Sequence, residues 1–135
     1  MKVINWNVRG ANRPFKQQEI RTMLHSNNVS LLGINESRVH PAKSSKIINS
    51  LFKGWKYLDN YESHPNGRIW VLWDPSILEV TKLVVSTQMI HVAVHIIQKQ
   101  LFFQASFVYG LNSYMERTDL WSSIHNLFSS MNQIP

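Results

Sequence analysis

The sequence contains no cysteine, no long apolar run and few acidic residues. Without cysteine there can be neither a disulfide framework nor a zinc site built on thiolates. The longest apolar runs have the length of a strand, which excludes a membrane-spanning helix. The N-terminus lacks the apolar core and cleavage site of a signal peptide. We therefore expect an intracellular protein, nuclear or cytoplasmic, that is neither secreted nor bound to a membrane.

The eight acidic residues are outnumbered by fourteen lysines and arginines, and the excess lies in one half of the chain. Residues 1–68 hold eleven basic and four acidic side chains, whereas residues 69–135 hold three and four. Cationic side chains that contact phosphates release condensed counterions, so this asymmetry favours a polyanionic partner such as DNA. Composition alone leaves open the alternative of a merely basic surface.

The hydrophobic pattern predicts a single α/β domain, which suits a chain of 135 residues. Residues 2–8 alternate with the period of a strand, and a helix is predicted from Pro14. Residues 29–34 form an unbroken apolar run, typical of a strand covered on both faces. Strand, helix and strand imply a right-handed crossover between two parallel strands. The strand ends at Asn7 and Glu36 should therefore lie at one edge of the sheet.

After a second helix, predicted from Pro41, the pattern changes to short strands separated by turn residues. The predicted strands cover residues 57–61, 69–73, 78–85, 89–97 and 101–109. Their hairpin-length connections predict antiparallel neighbours and hence a mixed β-sheet with flanking helices. Three helices cover so many strands poorly, so we expect one face of the sheet to lack a covering layer.

The last predicted helix begins at a capping box, with Ser113 as N-cap and Glu116 returning to its backbone. Its apolar residues recur with a helical period and predict a continuous core-facing stripe. The stripe consists of Leu120, Trp121, Ile124, Leu127, Phe128 and Met131.

Glu36 is the acidic residue that follows a predicted parallel strand, the position where open α/β sheets commonly bind ligands. Magnesium prefers oxygen ligands and often takes only one or two carboxylates from the protein. Glu36 with Asn7 beside it could form half of such a site. The alternative for Glu36 is an ordinary strand-end glutamate on a solvated loop.

Two histidines, His91 and His95, have the spacing of a zinc pair on a helix, but they lie in a predicted strand. Four residues of strand separate two side chains by about 13 Å, which is too far for them to share a metal. We interpret them as outward-facing strand residues.

Tyr109 ends the last predicted strand, and Asn112 and Arg117 follow it closely. A phenol, an amide and a guanidinium can each hydrogen-bond a phosphate. The alternative for Tyr109 is a half-buried aromatic residue with a solvated hydroxyl.

Several short motifs, taken in order, resemble the endonuclease/exonuclease/phosphatase superfamily. They are WNVRG at residues 6–10, NESR at 35–38, IWVLW at 69–73, VYGLN at 108–112, and then Arg117 with LW at 120–121. Their order and spacing are most similar to those of the endonuclease domain encoded by LINE-type (non-LTR) retrotransposons of plants.

This resemblance implies a deoxyribonuclease-like, four-layer α/β sandwich with its active site at one edge of two packed sheets. It also implies a Mg²⁺ cofactor, with Mn²⁺ as a substitute, and DNA as the partner. The implied catalytic residues are Tyr109, Asn112 and Arg117, the implied metal ligands are Glu36 and Asn7, and the implied substrate-binding residues are Arg9 and Arg38.

Motifs that the family carries further along are absent from the sequence: a Gly-Asp-x-Asn strand end, later Asp residues and a terminal Asp-His pair. Arg68 also stands where relatives often have a second glycine. We therefore expect residues 1–135 to form the N-terminal portion of the domain, truncated before its second half and with an incomplete magnesium site.

The expected function is that of a fragment of a magnesium-dependent phosphodiesterase, the DNA endonuclease of a retrotransposon, inactive on its own. One alternative is a non-catalytic, basic nucleic-acid-binding remnant or pseudogene product. Another is the phosphatase or ribonuclease branch of the same superfamily.

Overall fold

The structure is a computed structural model that describes residues 2–63, 69–109 and 114–131. Its elements are β1 (Lys2–Asn7), α1 (Pro14–Ser26), β2 (Val29–Asn35), α2 (Pro41–Leu51), β3 (Lys56–Asp59), β4 (Ile69–Trp73), β5 (Leu78–Val85), β6 (Met89–Ile96), β7 (Leu101–Val108) and α3 (Tyr114–Met131). Each strand boundary lies within two residues of its prediction from the sequence. The predicted α/β class is confirmed.

Four strands form the first sheet in the order β1-β2-β4-β3. β1 and β2 are parallel and are joined through α1, and their register pairs Asn7 with Asn35. β4 runs antiparallel to both β2 and β3. This sheet is mixed, as predicted, and parallel pairing brings the carboxyl ends of β1 and β2 to the same edge.

The other three strands form a second, antiparallel sheet in the order β5-β6-β7. The prediction that β4 and β5 are antiparallel neighbours was wrong, because the chain changes layer between them. Asp74 makes the turn, with its Oδ1 accepting from the backbone N–H and the hydroxyl of Ser76. Its backbone carbonyl accepts from the N–H groups of Ile77 and Leu78 at 3.1 Å.

Two apolar cores hold these layers together. Strand side chains alternate between faces, so β2 directs Leu32 toward α1 and α2 and Leu31 toward the second sheet. All seven residues of β2 are buried. The expectation of an uncovered face was therefore wrong for the first sheet, because the second sheet packs on it.

The predicted stripe of α3 is only partly buried. Leu120 is 4% exposed, but its neighbour Trp121 is 58% exposed. Successive residues of a helix point about 100° apart, so these two side chains face different directions. Ile124 and Leu127 are half-buried. The side chains of Glu116, Phe128 and Met131, and the whole of Ser113, lie outside the described residues. Neither α3 nor any other described helix is long and apolar enough to cross a membrane.

Candidate active site

The carboxyl ends of β1, β2 and β7 meet at one edge of the sandwich. The backbone N–H of Val8, just after β1, donates to the carbonyl of Asn35 at 3.1 Å. The side-chain amide of Asn35 reaches across the sheets and donates to the carbonyl of Val108 at 3.4 Å. Beside it, the hydroxyl of Tyr109 donates to Oε1 of Glu36 at 2.5 Å. Residues from both sheets therefore form one continuous surface at this edge.

The chain leaves β2 through a backbone turn in the left-handed region. The φ angles of Glu36 and Arg38 are both 54°, a backbone conformation that residues other than glycine rarely adopt. The loop after β1 holds this turn, because Gly10 N–H donates to the carbonyl of Glu36 at 2.9 Å and Ala11 N–H to that of Ser37 at 2.7 Å. Strained backbone of this kind persists where its surroundings fix it and is concentrated at functional sites.

Tyr61 links the same loop to β4. Its hydroxyl donates to the carbonyl of Val39 at 2.7 Å and accepts from Nε1 of Trp70 at 3.1 Å. Burial raises the pKa of Tyr61 above its ordinary value, which keeps the hydroxyl protonated as a donor. The loop that carries Glu36 is thus supported by a half-buried tyrosine that the sequence did not identify.

The carboxylate of Glu36 is 17% exposed and has a different partner on each oxygen. Tyr109 donates to Oε1, and Nη2 of Arg38 donates to Oε2 at 3.3 Å. The Arg38 side chain is 56% exposed, so this ion pair is well solvated and contributes little to stability. Two carboxylate oxygens together offer about four lone pairs, so a cation could still bind here.

Arg38 contacts this carboxylate, and two further arginines lie in the neighbouring loop after β1. A Cβ placed on Gly10 would lie 3.8 Å from Cδ of Arg38 and 3.9 Å from Nε of Arg13, so both side chains pass this glycine. Arg9 is exposed next to them and also has a positive φ of 52°. Arg13 was not predicted, although its place in the loop between β1 and α1 puts it beside Arg9.

The residues present fit a magnesium ion in part. Glu36 supplies one carboxylate, and Asn7 is exposed at the end of β1. Oδ1 of Asn35 is buried with no hydrogen-bond partner in the structure, an unsatisfied oxygen at the same edge. The described ranges contain no group of three or more histidine, aspartate or glutamate side chains that could hold a metal. One carboxylate with amide oxygens suits Mg²⁺ that keeps several waters, so the fit is to half a site.

The other predicted site residues are Asn112 and Arg117. Arg117 is half-buried near the start of this helix. Asn112 lies outside the described residues. Direct contacts are therefore shown among Glu36, Arg38 and Tyr109, while Asn7 and Arg9 lie beside them on the neighbouring strand and loop.

Neither His91 nor His95 belongs to this edge. Both lie on the face of β6 opposite the core between the sheets, but the prediction that both face outward was wrong for His91, which is buried. His91 is 3% exposed and bonds Ser106 Oγ at 2.5 Å and Gln104 Oε1 at 2.8 Å. His95 instead bonds Oε2 of Glu79 at 3.2 Å and stacks on Phe102 with ring centroids 4.3 Å apart.

Several solved structures share this fold, and three of them illustrate the likeness. One is the endonuclease domain of TRAS1, a telomere-specific non-LTR retrotransposon. The alignment covers 96% of this chain and 52% of the TRAS1 chain, with a TM-score of 0.69 and 10% sequence identity. The second is the AP endonuclease LMAP from Leishmania major, where the alignment covers 96% of this chain and 45% of the LMAP chain, with a TM-score of 0.58 and 13% sequence identity. The third is the catalytic domain of human Nocturnin, where the alignment covers 94% of this chain and 59% of the Nocturnin chain, with a TM-score of 0.56 and 12% sequence identity.

These likenesses confirm the predicted α/β fold with a mixed sheet and flanking helices, which is similar to the fold of these endonuclease structures. The chain spans about half the length of each solved structure. No protein-family model and no curated protein matches the sequence. At such low identities the likeness establishes the fold, and the function has to be argued from the site.

Proposed function

We propose that this chain supplies the N-terminal part of the active site of a magnesium-dependent phosphodiesterase, a DNA endonuclease of the retrotransposon type. The observation that carries this proposal is the contact between Glu36 and Tyr109, which joins the two sheets at the edge where three strands end. The cationic side chains beside it favour a phosphate substrate. Two of the three similar solved structures are endonucleases by name.

Each residue has a definite role in this proposal. Glu36 and Asn7 would hold Mg²⁺, which when bound stabilises negative charge on a phosphate oxygen. The Tyr109 hydroxyl has one proton, which it donates to the Glu36 carboxylate in this structure and would donate to the phosphate instead when substrate is bound. Arg38 and Arg9 attract the nucleic-acid backbone.

Two further residues are proposed to bind the phosphate from the segment after β7. These are Asn112, which lies outside the described residues, and Arg117, near the start of α3. Within the described ranges, one carboxylate with its amide and hydroxyl neighbours does not make a complete hydrolytic site. We therefore propose that the chain binds metal and phosphate but does not cleave DNA by itself.

Manganese titration tests the metal role without depending on turnover. Mn²⁺ broadens NMR signals near its binding site, so the backbone amides of Asn7, Glu36 and Arg38 should lose intensity first, and excess Mg²⁺ should restore them. Glu36→Gln should abolish this selective broadening. Glu79→Gln, which alters an exposed glutamate on the second sheet, is the matched control and should leave the broadening intact. Broadening that survives Glu36→Gln would contradict the metal role.

A nicking assay tests the claim of inactivity. The purified chain should not nick supercoiled plasmid above background with Mg²⁺ or Mn²⁺. Nicking that is lost in Glu36→Gln would show that this half of the site is sufficient.

A second candidate function is nucleic-acid binding without catalysis. The arginines that converge at Gly10 favour it, because they need no metal to bind phosphate. In that case, DNA affinity should be the same with Mg²⁺ and with EDTA, and Glu36→Gln should not reduce it. Assays with RNA beside DNA would also separate the ribonuclease branch from the endonuclease branch.

A further inference from the structure

Three asparagines lie on the face of the first sheet that is turned toward the second sheet. Asn35 is one of them, because its side-chain amide donates to the carbonyl of Val108, the last residue of β7, at 3.4 Å. Asn5 is another, since its Oδ1 lies 2.9 Å from the place of a Cβ on Gly33. Alternate residues of a strand share a face, so Asn7 lies on the same face as Asn5.

Two of these asparagines are direct neighbours across β1 and β2. The parallel register pairs Asn7 with Asn35, whereas it pairs Asn5 with Gly33, which has no side chain to bond. Neighbouring strands are about 4.8 Å apart, and asparagine side chains in register at this spacing bond to one another as amide ladders. Of the three, Asn7 and Asn35 are therefore the two whose amides can bond across the strands.

The amide of Asn35 uses its donor but not its acceptor. Its Nδ2 donates to Val108 across the sheets, which fixes the orientation of the amide. Its Oδ1 is buried and accepts no hydrogen bond from any described residue. A buried acceptor without a donor is unfavourable, because it has lost its bonds to water. The side chain of Asn7 is exposed, so it rotates readily, and its NH₂ group is a donor of the kind that Asn35 lacks.

We infer that Asn35 is a positioning residue for Asn7: Asn35 Oδ1 accepts from Asn7 Nδ2 and thereby leaves the Asn7 oxygen for a cation. An asparagine amide ends in one oxygen and one NH₂ group, and only the oxygen is a ligand for Mg²⁺. Holding the NH₂ group on Asn35 removes the orientation that would turn it toward the cation. This inference rests on the proposed function, which assigns Asn7 to the metal.

A direct role of Asn35 as a metal ligand fits the structure less well. Mg²⁺ gives up its water reluctantly and usually keeps several water molecules when it binds a protein. The buried Oδ1 of Asn35 leaves no room for such a hydrated ion, whereas Asn7 is exposed to one. The bond from Asn35 to Val108 also ties the amide pair to the second sheet, so the orientation of Asn7 depends on how the two sheets pack.

A measurement without metal tests the amide pair itself. Side-chain amide ¹⁵N relaxation is recorded on the whole chain in EDTA, with Asn7→Ala used to assign the Asn7 signals. The Asn7 amide should be ordered, and Asn35→Leu should lower its order parameter to below about 0.6, as in flexible groups. Asn5→Leu is the matched control and should leave the Asn7 amide ordered. A disordered Asn7 amide in the unaltered chain, or equal order in Asn35→Leu, would overturn the inference.

The apparent Mn²⁺ dissociation constant, obtained from the broadening titration, tests the consequence for the metal. Asn35→Leu should raise this constant about tenfold, as losing a partner of a metal ligand commonly does, and Asn5→Leu should not change it. In the Asn7→Asp background, both ends of the side chain are oxygens and no orientation has to be selected, so Asn35→Leu should have no further effect. A loss of the same size in that background would mean that Asn35 does not act through Asn7.

The inference and the proposed function fail separately in these tests. Broadening that survives Glu36→Gln would remove the metal role, while the order of the Asn7 amide in EDTA would still decide the pairing. If Asn35→Leu does not fold, Asn7→Ala decides it, because this change is at an exposed residue. The ¹³Cγ signal of Asn35 should then move upfield as its oxygen loses a hydrogen bond, and a signal that does not move would overturn the pairing.

Discussion

At the scale of single residues, the hydroxyl of the half-buried Tyr61 holds the loop that carries Glu36. Tyr61 bonds Val39 in this loop and Trp70 in β4, and Trp70 is fully buried. Neither partner has water to replace the hydroxyl if it is removed. The loop geometry therefore depends on a side chain that makes no contact with substrate in the proposed function.

We predict that Tyr61→Phe lowers the free energy of unfolding by about 1–3 kcal/mol, because it leaves a buried indole N–H and a carbonyl unsatisfied. Urea denaturation measures the change. Tyr57→Phe, at a half-buried tyrosine of β3, is the matched control and should cost less. Equal losses in the two variants would mean that the Tyr61 hydroxyl has no special role.

Asp59 gives a pH-dependent prediction. Burial raises the pKa of its carboxyl above the ordinary value, the hydrogen bond from Tyr61 N–H opposes the shift, and the charge of Glu62 adds to it. A raised pKa means that the folded state binds this proton more tightly than the unfolded state does. The contribution to stability is therefore present below the ordinary carboxyl pKa and is lost as the pH rises through the folded-state pKa.

Asp59→Asn should consequently raise the urea midpoint at pH 7, because it removes the partly buried charge and keeps an oxygen that can accept from Tyr61 N–H. The gain should shrink at about pH 3, where the carboxyl is protonated in both states. Glu19→Gln, which affects a glutamate paired with Lys16 on α1, should show no gain of this kind. A gain of the same size at both pH values would contradict the burial argument.

The sequence identified the strand-end candidates at this scale but not the residues that support them. Asn7 ends a strand and Glu36 and Tyr109 each directly follow one, and strand ends can be located from local alternation. Tyr61 acts on a residue 22 positions away and Asn35 on one 73 positions away. Such contacts depend on how the layers pack, which local periodicity does not encode.

At the scale of elements, Gly33 in the middle of β2 allows the second sheet to pack closely. A Cβ at this position would lie 2.2 Å from Cδ1 of Phe107 and 2.9 Å from Oδ1 of Asn5. Phe107 is only 3% exposed and is enclosed by the core between the sheets. The distance between the layers is therefore set by the absence of a side chain.

We expect Gly33→Ala to lower stability by about 1–3 kcal/mol through overpacking. Gly54→Ala is an informative comparison, since its Cβ would meet nothing within 4 Å and only its φ of 79° opposes the change. That strain is worth about 1–2 kcal/mol. Thermal unfolding should therefore show a lower midpoint for both variants. Only Gly33→Ala should alter the near-UV circular dichroism spectrum of the folded protein, because only it changes the packing between the sheets. Unchanged stability of Gly33→Ala would show that the sheets can move apart freely.

The elements themselves were largely predictable, and their assignment to layers was not. Alternation and turn residues located every described strand, because those signals are local. The change of layer at Asp74 has the same length and composition as a hairpin turn. The exposure of Trp121 has a similar cause, because helical periodicity shows which residues share a face but not how wide the contact on that face will be.

At the scale of the whole molecule, the excess of positive charge lies in the half of the sequence that contains Glu36. Residues 1–68, which carry the excess of lysine and arginine, contain β1, β2, β3, α1 and α2. Arg9, Arg13 and Arg38 bring part of it to the edge beside Glu36. This surface should bind nucleic acid through its phosphates rather than through its bases.

DNA affinity should therefore fall steeply between 50 and 200 mM salt, with a slope of about 0.9 for each phosphate contacted. Arg9→Gln and Arg13→Gln should each reduce that slope by about 0.9 if each side chain contacts one phosphate. Lys82→Gln, at an exposed lysine on the second sheet, is the control and should leave the slope unchanged. Fluorescence anisotropy with a labelled duplex gives all three values. Binding that is insensitive to salt would instead indicate base readout.

The bond between Glu36 and Tyr109 also has a consequence for the order in which the protein is made. Its two ends are 73 residues apart in the chain. Synthesis at roughly 5–20 residues per second places about 4–15 seconds between them. During that interval, the loop that carries Glu36 exists without the second sheet, and its strained turn has only the first layer to hold it. Contacts of such high sequence separation also slow folding, because closing a long loop costs entropy before the contact forms. The edge that carries Glu36 and Tyr109 should consequently be among the last parts of a newly made chain to become structured.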